Sequence, residues 1–349
     1  MITIFSSVSN IFNLSHHSGV ASGLLRTFNS LNVDIEIVGL TPVQKILSKV
    51  IRIILKTIGR LRYPESSKVM RYFVRLYFSR PTLVFDATYL NPLLSKQVVI
   101  YTDFMMSDYV RDYESLVDVQ YEDLLDRDIQ IILNAKAVFF RSRYYASLWG
   151  ARVPSANIKV CPAPSNLNFL ISFERLIRKP FDPRNVILGY IGKEPLRKNF
   201  MGLIALLATY KSLSAVIVGP ESHLKLVPDS LIHRIKFVGP LDKTEKCACD
   251  WVSFFESIDF GYVCPSAEAY GLQAVEFQSA LIPIICNFHG GLESSVLSDA
   301  SLSIKQFHEF IELSPALQLD FYKDLCCQSD KYIKPDWNVV ANEILVELK

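Results

Sequence analysis

Short apolar runs recur along the chain, separated by longer stretches whose apolar positions return every three or four residues. The first pattern is that of buried strands, and the second is that of helices with one covered face. "ITIFSS" (2–7), "VDIEIVGL" (33–40), "TLVFDA" (82–87), "QVVIYT" (97–102), "AKAVFFRS" (135–142) and "NIKVCPA" (157–163) read as strands, with "GVASGLLRTFNSL" (19–31) as a helix between the first two. After the polar, proline-containing "RKPFDPRN" (178–185) the alternation starts again. "VILGYIG" (186–192), "SAVIVGP" (214–220), "RIKFVGP" (234–240), "DFGYVCPS" (259–266) and "LIPIICN" (281–287) are strands. The helices among them are "NFMGLIALLATYKS" (199–212), "CDWVSFFESI" (249–258) and one that starts near Gly271. Such alternation implies parallel sheets wrapped on both faces. The expected fold is α/β, with two Rossmann-like doubly wound parallel-sheet domains facing a cleft. The first domain is placed at 1–179 and the second at 180–334, and a C-terminal helix (335–349) is expected to return to the first. Ligands of such sheets bind at the carboxyl ends of the strands.

Composition narrows the picture. A length of 349 residues suits two domains, and an apolar half supplies their cores. A net charge of +2 argues against a general nucleic-acid binder. The seven cysteines fall at irregular spacings, and neither "CAC" (Cys247, Cys249) nor "CC" (Cys326, Cys327) fits a zinc finger or ribbon. Free thiols in a reducing compartment are expected, with zinc shared by the two pairs as the weaker alternative. "MITIFSSVSN" reads as a strand and lacks the charged and apolar regions of a signal peptide. No apolar run is long enough to span a bilayer, so a cytoplasmic protein is expected.

Charge is distributed unevenly. Residues 42–81 hold ten Lys/Arg and one acid, Glu65, a local charge of +9, against 27 basic and 34 acidic residues elsewhere, or −7. Lys45, Lys49, Arg52, Lys56 and Arg60 share one helix face, with Leu47, Val50, Ile51, Ile54 and Ile58 on the other side. An ordinary surface helix explains this, and so does a patch that meets anionic lipid head groups.

The candidate chemistry centres on "PSAEAYGLQAVE" (265–276). Glu268 lies in the loop after a strand, Gly271 where a helix begins, and Glu276 about one and a half turns in. First-turn amides suit a phosphate or a sugar hydroxyl, and the Glu276 carboxylate suits the two hydroxyls of a ribose. A helix-start acid and a solvated face charge are the plain alternatives. Lys193, Arg197 and Lys198 in "KEPLRKNF" follow another strand and could neutralise a diphosphate, or simply face water. "HGG" (289–291) allows a close backbone approach or only a tight turn.

Together, "GYIGKEPLRKNF", "VIVGP" and "DFGYVCPSAEAYGLQAVEFQSALIPIICNFHGG" resemble the retaining family 4 glycosyltransferases of the GT-B fold (glycosyl transferases group 1), over most of 186–296. "VVIYTDFMMSDYVRDY" and "NIKVCPAPSN" look like first-domain segments of the same family. The resemblance implies that Glu276 holds the nucleotide ribose and that Glu268 lies near the donor sugar. It places Lys198, with Arg197 or Lys193, on the donor diphosphate, and the loop amides of Tyr270, Gly271 and Leu272 toward the sugar and phosphates. Gly19 matches a glycine-rich loop facing the donor, and Asp103 an acceptor-side position. Asn199 and Leu281 stand where the family usually has glycine, and Ser295 stands where an acid is usual.

The implied activity is transfer of a sugar, with retention, from a UDP- or GDP-sugar to a glycan or lipid-linked acceptor in surface polysaccharide biosynthesis. Cations and helix amides would stabilise the departing diphosphate, a carboxylate the oxocarbenium-like sugar, and Asp103, His16 or His17 the acceptor hydroxyl. No Asp-x-Asp motif is convincingly placed, so metal independence and no cofactor are expected. A peripheral position on the inner membrane face fits a lipid-linked acceptor. The alternatives are a catalytically inactive GT-B protein that binds a partner transferase, and a nucleotide-sugar epimerase of similar fold.

Overall fold

A strand with covered faces on both sides needs apolar residues at consecutive positions, and the runs above supply them. The structure, a computed structural model, describes residues 2–6, 20–39, 81–85, 98–113, 119–266, 268–288 and 290–349. It divides into two units, Met1–Ala163 with Asp336–Lys349, and Pro164–Pro335.

In the first unit β1 (Ile2–Ser6), β2 (Ile35–Gly39), β3 (Thr82–Val84), β4 (Val98–Thr102), β5 (Ala137–Phe140) and β6 (Ile158–Val160) form a parallel sheet in the order β2-β1-β3-β4-β5-β6. Every residue of β3, β4 and β5 is buried. The described helices are α1 (Val20–Ser30), α2 (Met106–Tyr113), α3 (Val119–Asn134) and α4 (Arg143–Arg152). The C-terminal helix (Trp337–Leu348) also belongs to this unit. Trp337, Val340, Ala341, Ile344 and Leu348 recur at helical spacing and are buried where it packs on α1 and β4. Glu347 adds an ion pair to Lys159 at 2.5 Å.

The second unit holds β7 (Val186–Ile191), β8 (Leu213–Val218), β9 (Ile235–Gly239), β10 (Phe260–Val263), β11 (Ile284–Cys286) and β12 (Ser301–Leu302), all parallel, in the order β12-β11-β10-β7-β8-β9. Between and after them run α5 (Phe200–Thr209), α6 (Asp229–Ile232), α7 (Ala248–Ser257), α8 (Leu272–Ser279), α9 (Ile304–Glu312) and α10 (Pro315–Ser329). Alternate side chains split the core in two. Leu188, Tyr190, Ile217, Phe260, Tyr262 and Ile285 pack on one face with α5 and α9 residues. Val216, Val218, Val263, Ile284 and Cys286 pack on the other with Trp251, Phe254, Phe255 and Phe277. Strand order reverses between β7 and β10, which puts the switch point of this sheet at their carboxyl ends.

The division falls after Ala163, earlier than the expected 179. The reason is packing. Leu167, Ile171 and Phe173 enter the second core, and the amino-terminal edge of that sheet grips the chain beyond them. Lys179 pairs with Asp259 at 2.8 Å, Arg178 donates to the Leu281 carbonyl at 2.8 Å, and Arg178 also meets the Tyr322 hydroxyl.

The seven cysteines are free, and Cys161, Cys264 and Cys286 are buried. Among the described residues no helix is long and apolar enough to cross a membrane. Nearly all of the basic segment 42–81, along with Gly19, His16, His17 and His289, lies outside the described residues.

Candidate functional site

The switch point fixes which loops can meet a ligand. One follows β7 and carries Lys193, Arg197 and Lys198 into α5, and the other follows β10 and carries Glu268 into α8. The two loops are tied directly, since the Ser266 amide donates to the Arg197 carbonyl at 2.9 Å and its hydroxyl donates to the same oxygen at 3.2 Å. Gln273 on α8 donates to the Ile191 carbonyl at the end of β7. A third loop is locked under them, because the Gly291 amide donates to the Glu268 carbonyl at 3.0 Å and Asn287 donates to the Pro265 carbonyl at 2.6 Å.

The charges converge on Glu268. Its Oε2 accepts from Lys198 Nζ and lies 3.6 Å from Arg197 Nη1, while Arg197 Nε also pairs with Glu194 at 2.6 Å. Lys198 and Glu268 are each only 11% exposed, so the pair is shielded from screening. Burial works to raise the Glu268 carboxyl, but the charges of Lys198 and Arg197 outweigh it and hold the group below the ordinary glutamate range. Lys193 is exposed and stands apart from the cluster. Of the cations weighed in the sequence, the structure brings Arg197 and Lys198 to the carboxylate.

Glycine is required at two positions here. Gly271 caps α8 with φ +83°, a conformation that strains an L side chain. At Gly291 an ideal Cβ would lie 1.6 Å from the Ala269 carbonyl oxygen, so that glycine serves the close approach of two backbones. Tyr270 is buried and Leu272 half-buried.

The two substitutions at positions where the resembled family has glycine keep a glycine-like backbone. Asn199 has φ +52° and Leu281 φ +57°. Asn199 also caps α5, its side chain accepting from the Gly202 amide at 3.2 Å. Ser295 sits against the Gly271 turn, with its hydroxyl donating to the Leu292 carbonyl at 3.2 Å.

Glu276 lies in α8 and is 1% exposed. Its Oε1 accepts from Ser165 Oγ at 3.0 Å and pairs with Lys243 Nζ. Sequence reasoning missed both partners. Lys243 lies in the loop after β9 and Ser165 at the head of the unit, separations that no local pattern reveals.

In the first unit Asp103 follows β4 and pairs with the buried Arg141 at 2.7 Å. Arg141 in turn lies over the Tyr101 ring at 5.7 Å. In the same unit, Asp108 in α2 is buried and accepts from the Trp149 indole at 2.6 Å and the Met105 amide at 3.1 Å. Burial raises its carboxyl to about 6, against the opposing hydrogen bonds and Arg111.

No family model and no curated protein matches the chain. Solved structures do match, over nearly its whole length. Sucrose-phosphate synthase from Thermosynechococcus elongatus superposes with a TM-score of 0.68 at 15% identity, covering 99% of this chain and 97% of that one. HepE from Anabaena, solved with UDP and glucose, gives 0.61 at 13% identity, with 99% and 98% covered. WaaG, a glycosyltransferase involved in lipopolysaccharide biosynthesis, gives 0.60 at 10% identity, with 98% of each chain covered. The likeness is one of fold. The chain has the GT-B architecture of these proteins, two Rossmann-like units each built on a parallel sheet.

Proposed function

We propose that the chain is a retaining glycosyltransferase of the family 4 type that moves a sugar from a nucleotide-sugar donor to a glycan or lipid-linked acceptor in surface polysaccharide assembly. The observation that carries the reading is the Lys198–Glu268–Arg197 cluster on the two loops that flank the switch point of the second sheet. In a GT-B fold a nucleotide diphosphate belongs at that edge. UDP is the first donor nucleotide to try, because HepE was solved with UDP and glucose and with UDP-glucose.

The chemistry follows from exchange of partners. A diphosphate entering the cluster draws Lys198 and Arg197 onto its oxygens and stabilises the charge that grows as the anomeric C–O bond breaks. Glu268, released from Lys198, becomes a carboxylate beside an oxocarbenium-like sugar. Glu276 takes the ribose, and the amides of Tyr270, Gly271 and Leu272 line the turn between sugar and phosphates. Lys193 is in reach of solvent and meets the outer phosphate or none. The two cations make a metal ion unnecessary for the leaving group.

Asp103 remains the acceptor-side group, and Gly19 the glycine of a donor-facing loop. Asp103 is held by Arg141, and in this reading it orients the acceptor hydroxyl. The basic segment 42–81 holds the enzyme against anionic lipid on the inner membrane face. Flotation with anionic vesicles, declining with salt, tests that part.

The test of the whole is a thermal-shift panel of UDP, GDP, ADP, CDP and TDP, with and without magnesium, on the wild type and Glu276→Ala. A ligand of the native state raises the melting temperature by mass action. One nucleotide should stabilise the wild type, with or without magnesium, and fail on the variant. A flat panel removes the donor site and moves the reading to a partner-binding GT-B protein. Turnover of a UDP-sugar without acceptor would instead indicate an epimerase.

A further inference from the structure

A glutamate that is to grip a ribose has to be ionised and aimed, and Glu276 is 1% exposed in the middle of α8. A carboxylate so placed is costly unless it is paired. Two groups meet it, and both reach the same oxygen, Oε1. Ser165 donates at 3.0 Å, and its own hydroxyl is fixed by accepting from the Leu167 amide at 3.0 Å. Among the described residues, the charge that meets this carboxylate comes from Lys243.

The placement of Lys243 is itself built. It sits in the loop after β9, on the far side of β7 and β8 from β10 and α8. That loop is anchored immediately before the lysine. The Trp251 indole donates to the Asp242 carbonyl at 3.1 Å, Trp251 is buried in the core, and Leu241 packs against the same cluster. The ammonium crosses the carboxyl edge of the sheet to reach α8 and keeps 18% exposure.

We propose that Lys243 is the positioning residue of the nucleotide site. It pairs with Glu276 and pins Oε1, so that Oε2 is presented to the ribose hydroxyls. This rests on the donor reading above and adds a residue to it. Lys243 acts through Glu276, so its signature is a change in pH dependence rather than a uniform loss. Among the described residues, the charged group in contact with Glu276 is Lys243.

The experiment is calorimetric titration of UDP, GDP and ADP into the wild type, Lys243→Met, Lys243→Arg and Glu276→Gln, from pH 6 to pH 9, with melting temperatures to confirm folding. A buried carboxylate without its counter-charge stays protonated to higher pH. Lys243→Met should therefore bind the preferred nucleotide weakly at pH 6 and regain affinity as pH rises. The loss grows by about tenfold per pH unit below the protonation point. Lys243→Arg should follow the wild type. A Lys243→Met profile parallel to that of the wild type, at equal or uniformly lower affinity, overturns the proposal. If Glu276→Gln weakens binding while Lys243→Met does not, this inference alone falls. If Glu276→Gln binds as the wild type does, or if no nucleotide binds any form, the donor reading falls and takes this one with it.

Discussion

Replacing Lys198 by alanine leaves Glu268 as a largely buried carboxylate with only Arg197 nearby, at 3.6 Å. Removing one partner of a buried pair costs about 3–5 kcal/mol. Here both side chains retain 11% exposure and Arg197 still offsets part of the charge, so a loss below that range is expected, about 2 kcal/mol at pH 7. The sign of the pH dependence follows from the Glu268 carboxyl, which burial would raise but Lys198 and Arg197 hold down. A depressed carboxyl contributes stability that is complete above the ordinary glutamate range and lost as pH falls through its lower folded value. In Lys198→Ala burial prevails, the carboxyl binds a proton more readily when folded, and that variant gains on the wild type as the pH falls. Urea unfolding at pH 7 and pH 4, on Lys198→Ala, Glu268→Gln and the double variant, measures both effects. The cycle should show a coupling of about 1–2 kcal/mol at pH 7 that shrinks at pH 4. Additive single losses, or a gap that is the same at both pH values, would show that the pair is not the electrostatic unit described. A loss of stability with undiminished nucleotide binding would leave the pair structural and take the diphosphate away from it.

Other perturbations read the same architecture elsewhere. Asp108→Asn keeps one oxygen to accept from Trp149 and Met105, which share a single oxygen in the wild type, but removes a group raised by burial to about 6. The raised carboxyl makes the wild type lose about 3 kcal/mol as pH rises from the ordinary aspartate range through 6, and denaturation of the variant should lack that fall. Leu281→Gly relieves a left-handed leucine at φ +57° and should stabilise by about 1 kcal/mol in urea, with loss of its side-chain contacts as the opposing effect. Gly291→Ala drives a methyl into the Ala269 carbonyl, so thermal melting should show a large loss and any nucleotide-induced shift should vanish with the loop that carries Glu268.

The strands were legible because a parallel sheet covered on both faces demands apolar runs, and "VVIYT" or "AVFF" has no other simple use. The helix starts were legible where chemistry marks them, as at Gly271. The backbone at Asn199 and Leu281 was not. Glycine advertises a left-handed residue and asparagine does so more weakly, whereas leucine carries the same φ without a compositional sign. The structural division and the expected boundary part for a related reason. "RKPFDPRN" looks like a linker because it is polar and holds prolines, yet Lys179 and Arg178 are polar in order to grip Asp259 and the Leu281 carbonyl. Polarity in sequence does not separate a solvated linker from a segment clamped by charge.

The site shows the same limit at longer range. Glu268, Arg197 and Lys198 were found because each lies at the end of a strand that the pattern reveals, and the sheet order then brings two such ends together. Glu276 was found for its place in a helix, but its state depends on Lys243 and Ser165 from two other loops. A carboxylate on a helix face looks solvated until tertiary packing buries it, and only then does the energy of its pairing become large. The residues that decide whether Glu276 can hold a ribose are therefore those whose positions only the folded sheet defines. Position within an element suffices to nominate an acid, and its charge partner has to be read from the loops that the strand order makes neighbours.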